Sequence, residues 1–318
     1  MSEFAKPWAV TGAARYLGSY VVEQLLARGT PVLAADDLST GRAEHLTPHA
    51  DNPNFTLARQ DIRDAGALAT LFQTHRPAAV VHLAALHFIP ACNADPATTV
   101  SVNVHGTQCV LSAARAAGVE RFWLASTGDV YVPDDRPHHE TRSAVGPFNI
   151  YGLSKLMCEQ LVAVESRLRP EARFVVGRLF NLIGPRETNP HILPEILGQL
   201  RANPTAPLRL GSLWPKRDLV PVADAARAVI ATLDAAATGV ATVNVATGVA
   251  VSMQEVLDLI GELRGAPLAI ETDPAKVRPV ERGHLQADVT ALRELIGWTP
   301  PADLRRTLAV LLEVELPS

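Results

Sequence analysis

A chain of 318 residues that is 47% apolar and 19% charged is long enough to bury one large core with a smaller companion. Its formal net charge of −4 gives no polyanion-binding signal, so nucleic acid is not an expected partner. The three cysteines, Cys92, Cys109 and Cys158, lack CxxC spacing, which argues against a zinc site or a disulfide framework and fits a reducing cytoplasm. No apolar run reaches the length of a membrane span and no leader-like segment opens the chain, so the expectation is a soluble protein without a membrane partner.

In chain order, short β-branched runs alternate with longer stretches of helical periodicity. "PWAVTG" (7–12) reads as a strand and "YLGSYVVEQLLARG" (16–29) as a helix closed by Gly29; "PVLAADD", "FTLARQD" and "AAVVHLAA" read as the next three strands. A helix follows over "TTVSVNVHGTQCVLSAARAAG", then a strand at "RFWLAST", a helix from about Tyr151 to Arg167, and a strand at "RFVVGRLFN". Six parallel strands with right-handed crossovers predict an α/β fold with a doubly wound Rossmann sheet over 1–181. Beyond Asn181, prolines punctuate the chain and the rhythm breaks, which predicts a smaller, loop-rich α/β lobe over 182–318 that packs on the carboxyl edge of the sheet. "ATVNVAT", near 240–247, reads as one more strand returning to the main sheet.

The first strand-to-helix turn, "TGAARYLG", keeps the first and last glycines of a phosphate-cradling loop, Gly12 and Gly18, with Arg15 standing where a middle glycine is usual. Such a turn presents the backbone N–H groups of a helix start, here around Tyr16 and Leu17, to a pyrophosphate. Asp36 ends the second strand, where a carboxylate takes the hydroxyls of an adenosine ribose and repels a 2′-phosphate, favouring NAD over NADP. Arg15 leaves the phosphorylated form open, since a guanidinium near that ribose pairs with phosphate. Further on, "YGLSK" sets Tyr151 and Lys155 one helical turn apart. An ammonium beside a phenol favours the phenolate, which makes such a tyrosine a base for a substrate hydroxyl, with Thr127 placed to share the bond.

Together with "DDLSTG", "NVHGT", "STGDVY", "RLFNLIGP", "KRDLVPVAD" and "ADVTALRELIGWTP", these stretches resemble the extended short-chain dehydrogenase/reductases that act on nucleotide sugars, over nearly the whole chain. The resemblance implies an NAD-dependent enzyme that binds a nucleotide-diphosphate sugar in the lobe over 182–318. It implies cofactor contacts from Asp61 and Ile62 to the adenine, from Leu83, Ala84 and Ala85 along the pyrophosphate side, and support from Asn103. It makes Tyr151 the base, Lys155 its modulator and a cofactor-ribose ligand, and Thr127 the hydroxyl partner. Asn181, His87 and His191 fall at the sugar end, Arg217 and Arg278 clamp the diphosphate, and Glu281 lies near the nucleotide ribose. No metal site is implied. Relatives pair the helices after "NVHGT" and at "YGLSK" across a two-fold, which implies a homodimer. The activity expected first is epimerisation at C4 through a transient 4-keto sugar. Asp129 stands where dehydratases of this family usually carry a glutamate, so a 4,6-dehydratase or related lyase using Asp129 stays open, as does a catalytically silent binding protein of the same fold.

Overall fold

The computed structural model describes residues 6–277 and 281–316. Its first half runs β1 (Trp8–Thr11), α1 (Tyr16–Ala27), β2 (Val32–Asp36), β3 (Phe55–Arg59), α2 (Ala65–His75), β4 (Ala79–His82), α3 (Ile89–Ala94), α4 (Pro96–Val100), α5 (Gly106–Ala116), β5 (Arg121–Thr127), α6 (Ile150–Leu168) and β6 (Arg173–Leu179). The second half adds β7 (Asn181–Ile183), α7 (Ile192–Ala202), β8 (Leu208–Leu210), β9 (Lys216–Pro221), α8 (Val222–Ala235), β10 (Gly239–Val245), β11 (Ala250–Ser252), α9 (Met253–Arg264), β12 (Ile270–Thr272), β13 (His284–Leu285), α10 (Thr290–Ile296) and α11 (Leu304–Glu315).

Seven parallel strands form the main sheet in the order β10-β6-β5-β4-β1-β2-β3. The strand reading "ATVNVAT" does return to this sheet, beside β6. Both faces are covered, so neighbouring residues of one strand enter different cores. Trp8 and Val10 join a cluster with Val21, Leu25, Val229 and Leu233, while Ala9 faces Leu68, Phe72, Val80 and Val110 on the other side. That two-sided burial explains why the strands read as near-continuous apolar runs. The strand order reverses between β1 and β4, and at this switch point a crevice opens beyond the carboxyl ends of the strands.

A third cluster, from Ile183, Leu193, Ile196, Leu208, Val256, Ile260, Leu308 and Leu311, is built wholly from residues after 182. It sits with a small sheet of β11, β9 and β13, to which β7 adds on β9, and with the β12–β8 pair. The lobe is more regular than its prolines suggest. Pro194 falls in the first turn of α7 and Pro221 immediately precedes α8, positions where no helical donor is lost. Helix α8 packs on α1 and contributes to the first core, so residues beyond 181 supply the main sheet with a helix as well as a strand. Two further departures concern helices. Helix α2, capped by the Asp64 side chain accepting from the Ala67 N–H, is absent from the sequence reading, and the long helix expected over 98–118 is interrupted by a π-helical turn at Ser101–His105.

Candidate active site

The glycine loop after β1 is held by close approach. Gly12 adopts φ +70°, and a Cβ there would meet the Ala84 backbone N at 2.7 Å, so the loop lies directly against the segment that follows β4. The Asp36 carboxylate, only 4% exposed, accepts from the Ala14 N–H and the Leu38 N–H at 2.9 Å each. It therefore fixes the loop as well as offering lone pairs at the crevice, and its burial pushes its pKa up. Tyr16 and Leu17 are buried, and the Tyr16 hydroxyl donates to the Gly184 carbonyl at 3.1 Å, tying the helix start to the loop after β7.

Arg15 runs across the crevice. Its guanidinium donates to the Ala85 carbonyl at 2.7 Å, and the Nε is buried without a hydrogen-bond partner. Burial lowers its pKa, while Asp36, Glu187, Asp37 and Tyr151 oppose that shift. A guanidinium so placed, above a loop cradle that a side chain at position 12 would fill, suits an anionic group bound between the loop and the Leu83–Ala85 segment. The residues present thus fit a dinucleotide. Asp61 is turned instead to Arg63 in a bidentate pair, its closest contact 2.6 Å, which holds the carboxyl below its usual range. Ile62 is buried against Gly106.

Two polar staples hold the crevice walls. His82, fully buried, lies 2.7 Å from the Thr11 hydroxyl and 2.9 Å from the Thr107 hydroxyl, and burial drives its pKa down to about 3. Asn103, in the π-helical turn, accepts from the Leu86 N–H at 2.7 Å and donates to the Leu86 carbonyl and the Ser154 hydroxyl at 2.9 Å each. Its amide locks the loop after β4 to α6, a positioning task for which the π turn aims the side chain.

The residues expected to handle protons lie about the carboxyl end of β5 and the start of α6. Asn149 caps α6, accepting from the Gly152 N–H at 2.7 Å, so Tyr151 lies in the first turn. A Cβ at Gly152 would meet the Asp129 carbonyl oxygen at 2.5 Å; glycine here lets the helix start press against the turn that carries Thr127. The Thr127 hydroxyl accepts from the Asp129 N–H at 3.2 Å. Burial raises the Tyr151 pKa, with the Asp129 charge adding to the rise and the Thr127 hydrogen bond and the Arg15 charge lowering it. Lys155 is 2% exposed, and burial lowers its pKa. Asp129 is not free beside Tyr151: the buried Arg282 reaches its Oδ1 at 3.2 Å.

Between the loops after β4 and β7, the His87 Nε2 accepts from the Asn189 amide at 2.8 Å, and the His87 and His191 rings stack with centroids 6.1 Å apart. Donor atoms of His87, Glu187 and His191 lie within 4.8 Å of one another. The Glu187 Oε1 already accepts from the Thr188 and Asn189 N–H groups, and the Arg15 and Lys155 charges face His87, so the group is a hydrogen-bonded staple between two loops in a field that disfavours a cation. Asn181 is exposed at the start of β7. Arg217 on β9 donates to the Glu281 carboxylate at 2.7 Å, so two residues assigned to the nucleotide end form one cluster. Arg278 lies outside the described residues. The sequence reading places Asn189 among the polar candidates of the sugar-end loop without a role, and it misses Arg282 and Asn149. Asn149 carries a legible signal as a polar residue just before a helical run, whereas Arg282 gains its role only through tertiary contact.

Comparison with known proteins gives a consistent result. The model of the NAD-dependent epimerase/dehydratase family matches residues 8–246. A UDP-glucose 4-epimerase of Mycolicibacterium smegmatis is 33% identical, over 96% of each chain. A Thermotoga maritima UDP-glucose 4-epimerase solved with UDP-glucose superposes with a TM-score of 0.87 at 26% identity, covering 96% of this chain and 97% of that one. A Thermus thermophilus UDP-glucose 4-epimerase solved with NAD gives 0.85 at 29% identity, covering 98% and 99%.

Proposed function

This chain belongs to the NAD-dependent epimerase/dehydratase family, and we propose that it is an epimerase of a nucleotide-diphosphate sugar, UDP-hexose in the first place, acting at C4. The observation that carries the reading is the convergence of Thr127, Tyr151 and Lys155 at the carboxyl end of β5, beside the crevice bounded by Gly12, Arg15, Asp36 and Leu83–Ala85. When bound, NAD supplies a hydride acceptor that gives the hydride back to the same carbon. The protein's own part is proton transfer and orientation. The Tyr151 phenolate accepts the proton of the sugar hydroxyl as Thr127 shares the bond, and it returns that proton once the 4-keto sugar has presented its other face. Lys155, one helical turn along α6 from the phenol, supplies on this reading a positive charge that favours the deprotonated form against the rise that burial imposes. In this reading the lobe over 182–318 binds the nucleotide, with Arg217 and Glu281 at the diphosphate and ribose and Arg278 as a second clamp; His87, Asn181 and His191 line the sugar end.

The same reading includes a homodimer in the cytoplasm. Leu153, Met157, Val164 and Leu168 form an exposed apolar stripe along one face of α6, an arrangement that suits a helix pairing with its copy. Cys92, Cys109 and Cys158 are all buried free thiols, as a reducing compartment allows. Among the described residues no helix is long and apolar enough to cross a membrane. Incubation with UDP-, dTDP-, GDP- and CDP-sugars, followed by mass spectrometry and proton NMR, tests the assignment. An unchanged mass with a new stereoisomer is expected; loss of water would assign the lyase reading, and inertness with no affinity for NAD would assign the silent one.

A further inference from the structure

The turn after β5 has an unexpected neighbour. Arg282, two residues before the short β13 and 5% exposed, inserts its guanidinium under residues 128–131. It donates to the Gly128 carbonyl at 3.1 Å, to the Asp129 Oδ1 at 3.2 Å and to the Tyr131 carbonyl at 2.8 Å, and lies 3.4 Å from the His138 Nε2. Two of these contacts are to backbone oxygens, so the cation is itself anchored before it meets the carboxylate. Its neighbour Glu281 pairs with Arg217, so one dipeptide joins the nucleotide end of the site to the catalytic turn.

We propose that Arg282 is a positioning residue that clamps Asp129 onto the turn after β5, making it a fixed charge beside Tyr151 instead of a second acid–base group, and so confines proton exchange to the hydroxyl served by Tyr151. The inference rests on the epimerase reading. In the keto form of the sugar, the C–H bond next to the carbonyl is acidified. A mobile carboxylate there would take that proton, the bonding pair passing into an enolate, and solvent would return a proton to carbon; no oxidant or reductant is involved. A carboxylate hydrogen-bonded to a guanidinium is a poorer base, because the pairing favours its charged form, and a pinned one does not follow the carbon. The charged and titratable groups that act on Tyr151 are Asp129, Cys92 and Arg15, with Lys155 one turn along α6, and those that face Arg282 are Asp129, Arg217 and the His138 ring. Removing Asp129 therefore lowers the proton affinity of Tyr151, and removing Arg282 raises it.

The test uses the NAD-loaded protein turning over a nucleotide sugar in D2O, with product read by NMR. Wild type is expected to leave the carbon next to the reacting centre free of deuterium; Arg282→Met is expected to introduce deuterium there, and the double variant Arg282→Met/Asp129→Asn to abolish it again. The acid limb of kcat should move to lower pH in Asp129→Asn and to higher pH in Arg282→Met. Wild type that exchanges as fast as Arg282→Met, or limbs that do not move in opposite directions, would overturn the proposal. Should Arg282→Met fail to fold, Asp129→Asn alone still decides it: an acid limb unmoved there overturns the proposal. Urea midpoints of the two single variants and the double give the 129–282 coupling without any turnover. A vanishing coupling overturns the clamp, whereas wild type that turns over no sugar overturns the epimerase reading and leaves that coupling measurable.

Discussion

At Arg15 the loop sequence leaves two destinations for a guanidinium, a ribose phosphate or the pyrophosphate side of a cofactor, and the side chain takes a path across the crevice to the Ala85 carbonyl. A charge-assisted contact of this kind contributes about 1.5–3 kcal/mol. Arg15→Gly is therefore expected to weaken NAD binding by roughly tenfold or more in a calorimetric titration, although it restores the glycine usual in such loops; tighter binding would mean that Arg15 obstructs the site. For Tyr151→Phe we expect kcat to fall by about 10²–10⁴ with NAD affinity little changed, since only the proton transfer is removed. His82 offers a pH test. Its folded pKa, about 3, lies below the ordinary value of about 6.5, so the unfolded chain takes up the proton first. The stability that neutral His82 provides is full above about pH 6.5 and declines on acidification by up to roughly 1.4 kcal/mol per pH unit. Stability of His82→Gln, compared with wild type between pH 7 and 5, should show a shallower decline; parallel curves would contradict the assignment.

Helix α6 is the element on which the proposed chemistry depends, and one glycine lets its start press against the turn after β5. Alanine at position 152 would gain up to about 1 kcal/mol of helix propensity but would drive a methyl group into the Asp129 carbonyl, and such overpacking costs about 1–3 kcal/mol. Gly152→Ala should therefore be destabilised by about 1–2 kcal/mol in urea unfolding, with a larger fractional loss of kcat because Tyr151 is displaced from Thr127; a stabilised, active variant would show that the approach is not tight. This helix was readable from sequence, because "YGLSK" joins an apolar period to a recognisable chemical pair. Helix α2 was also readable in retrospect, through Asp64 at its cap and Leu68 and Phe72 on its buried face. The π turn at Ser101–His105 was not, since it answers to the tertiary bonds of Asn103 and not to local propensity. Arg282 was hidden for the same reason: its partners lie about 150 positions away in sequence.

Across the whole molecule, the alternation of strands and helices was enough to anticipate the doubly wound sheet and its returning strand, because burial on both faces leaves a continuous apolar signature. The second lobe was less legible, since prolines interrupt its apolar pattern, although Pro194 and Pro221 sit at helix starts, and its strands are short. The stripe on α6 is a whole-molecule matter too. Sedimentation at micromolar concentration should give a dimer, and Met157→Lys/Val164→Lys, which puts charge on that stripe, should give monomer; a wild-type monomer would contradict the pairing. The central claim is that one carbon is oxidised and reduced in place. UDP-glucose deuterated at C4 should be converted to its C4 stereoisomer with the deuterium still on C4 and the mass unchanged, whereas deuterium lost to solvent or found on another carbon would contradict the account.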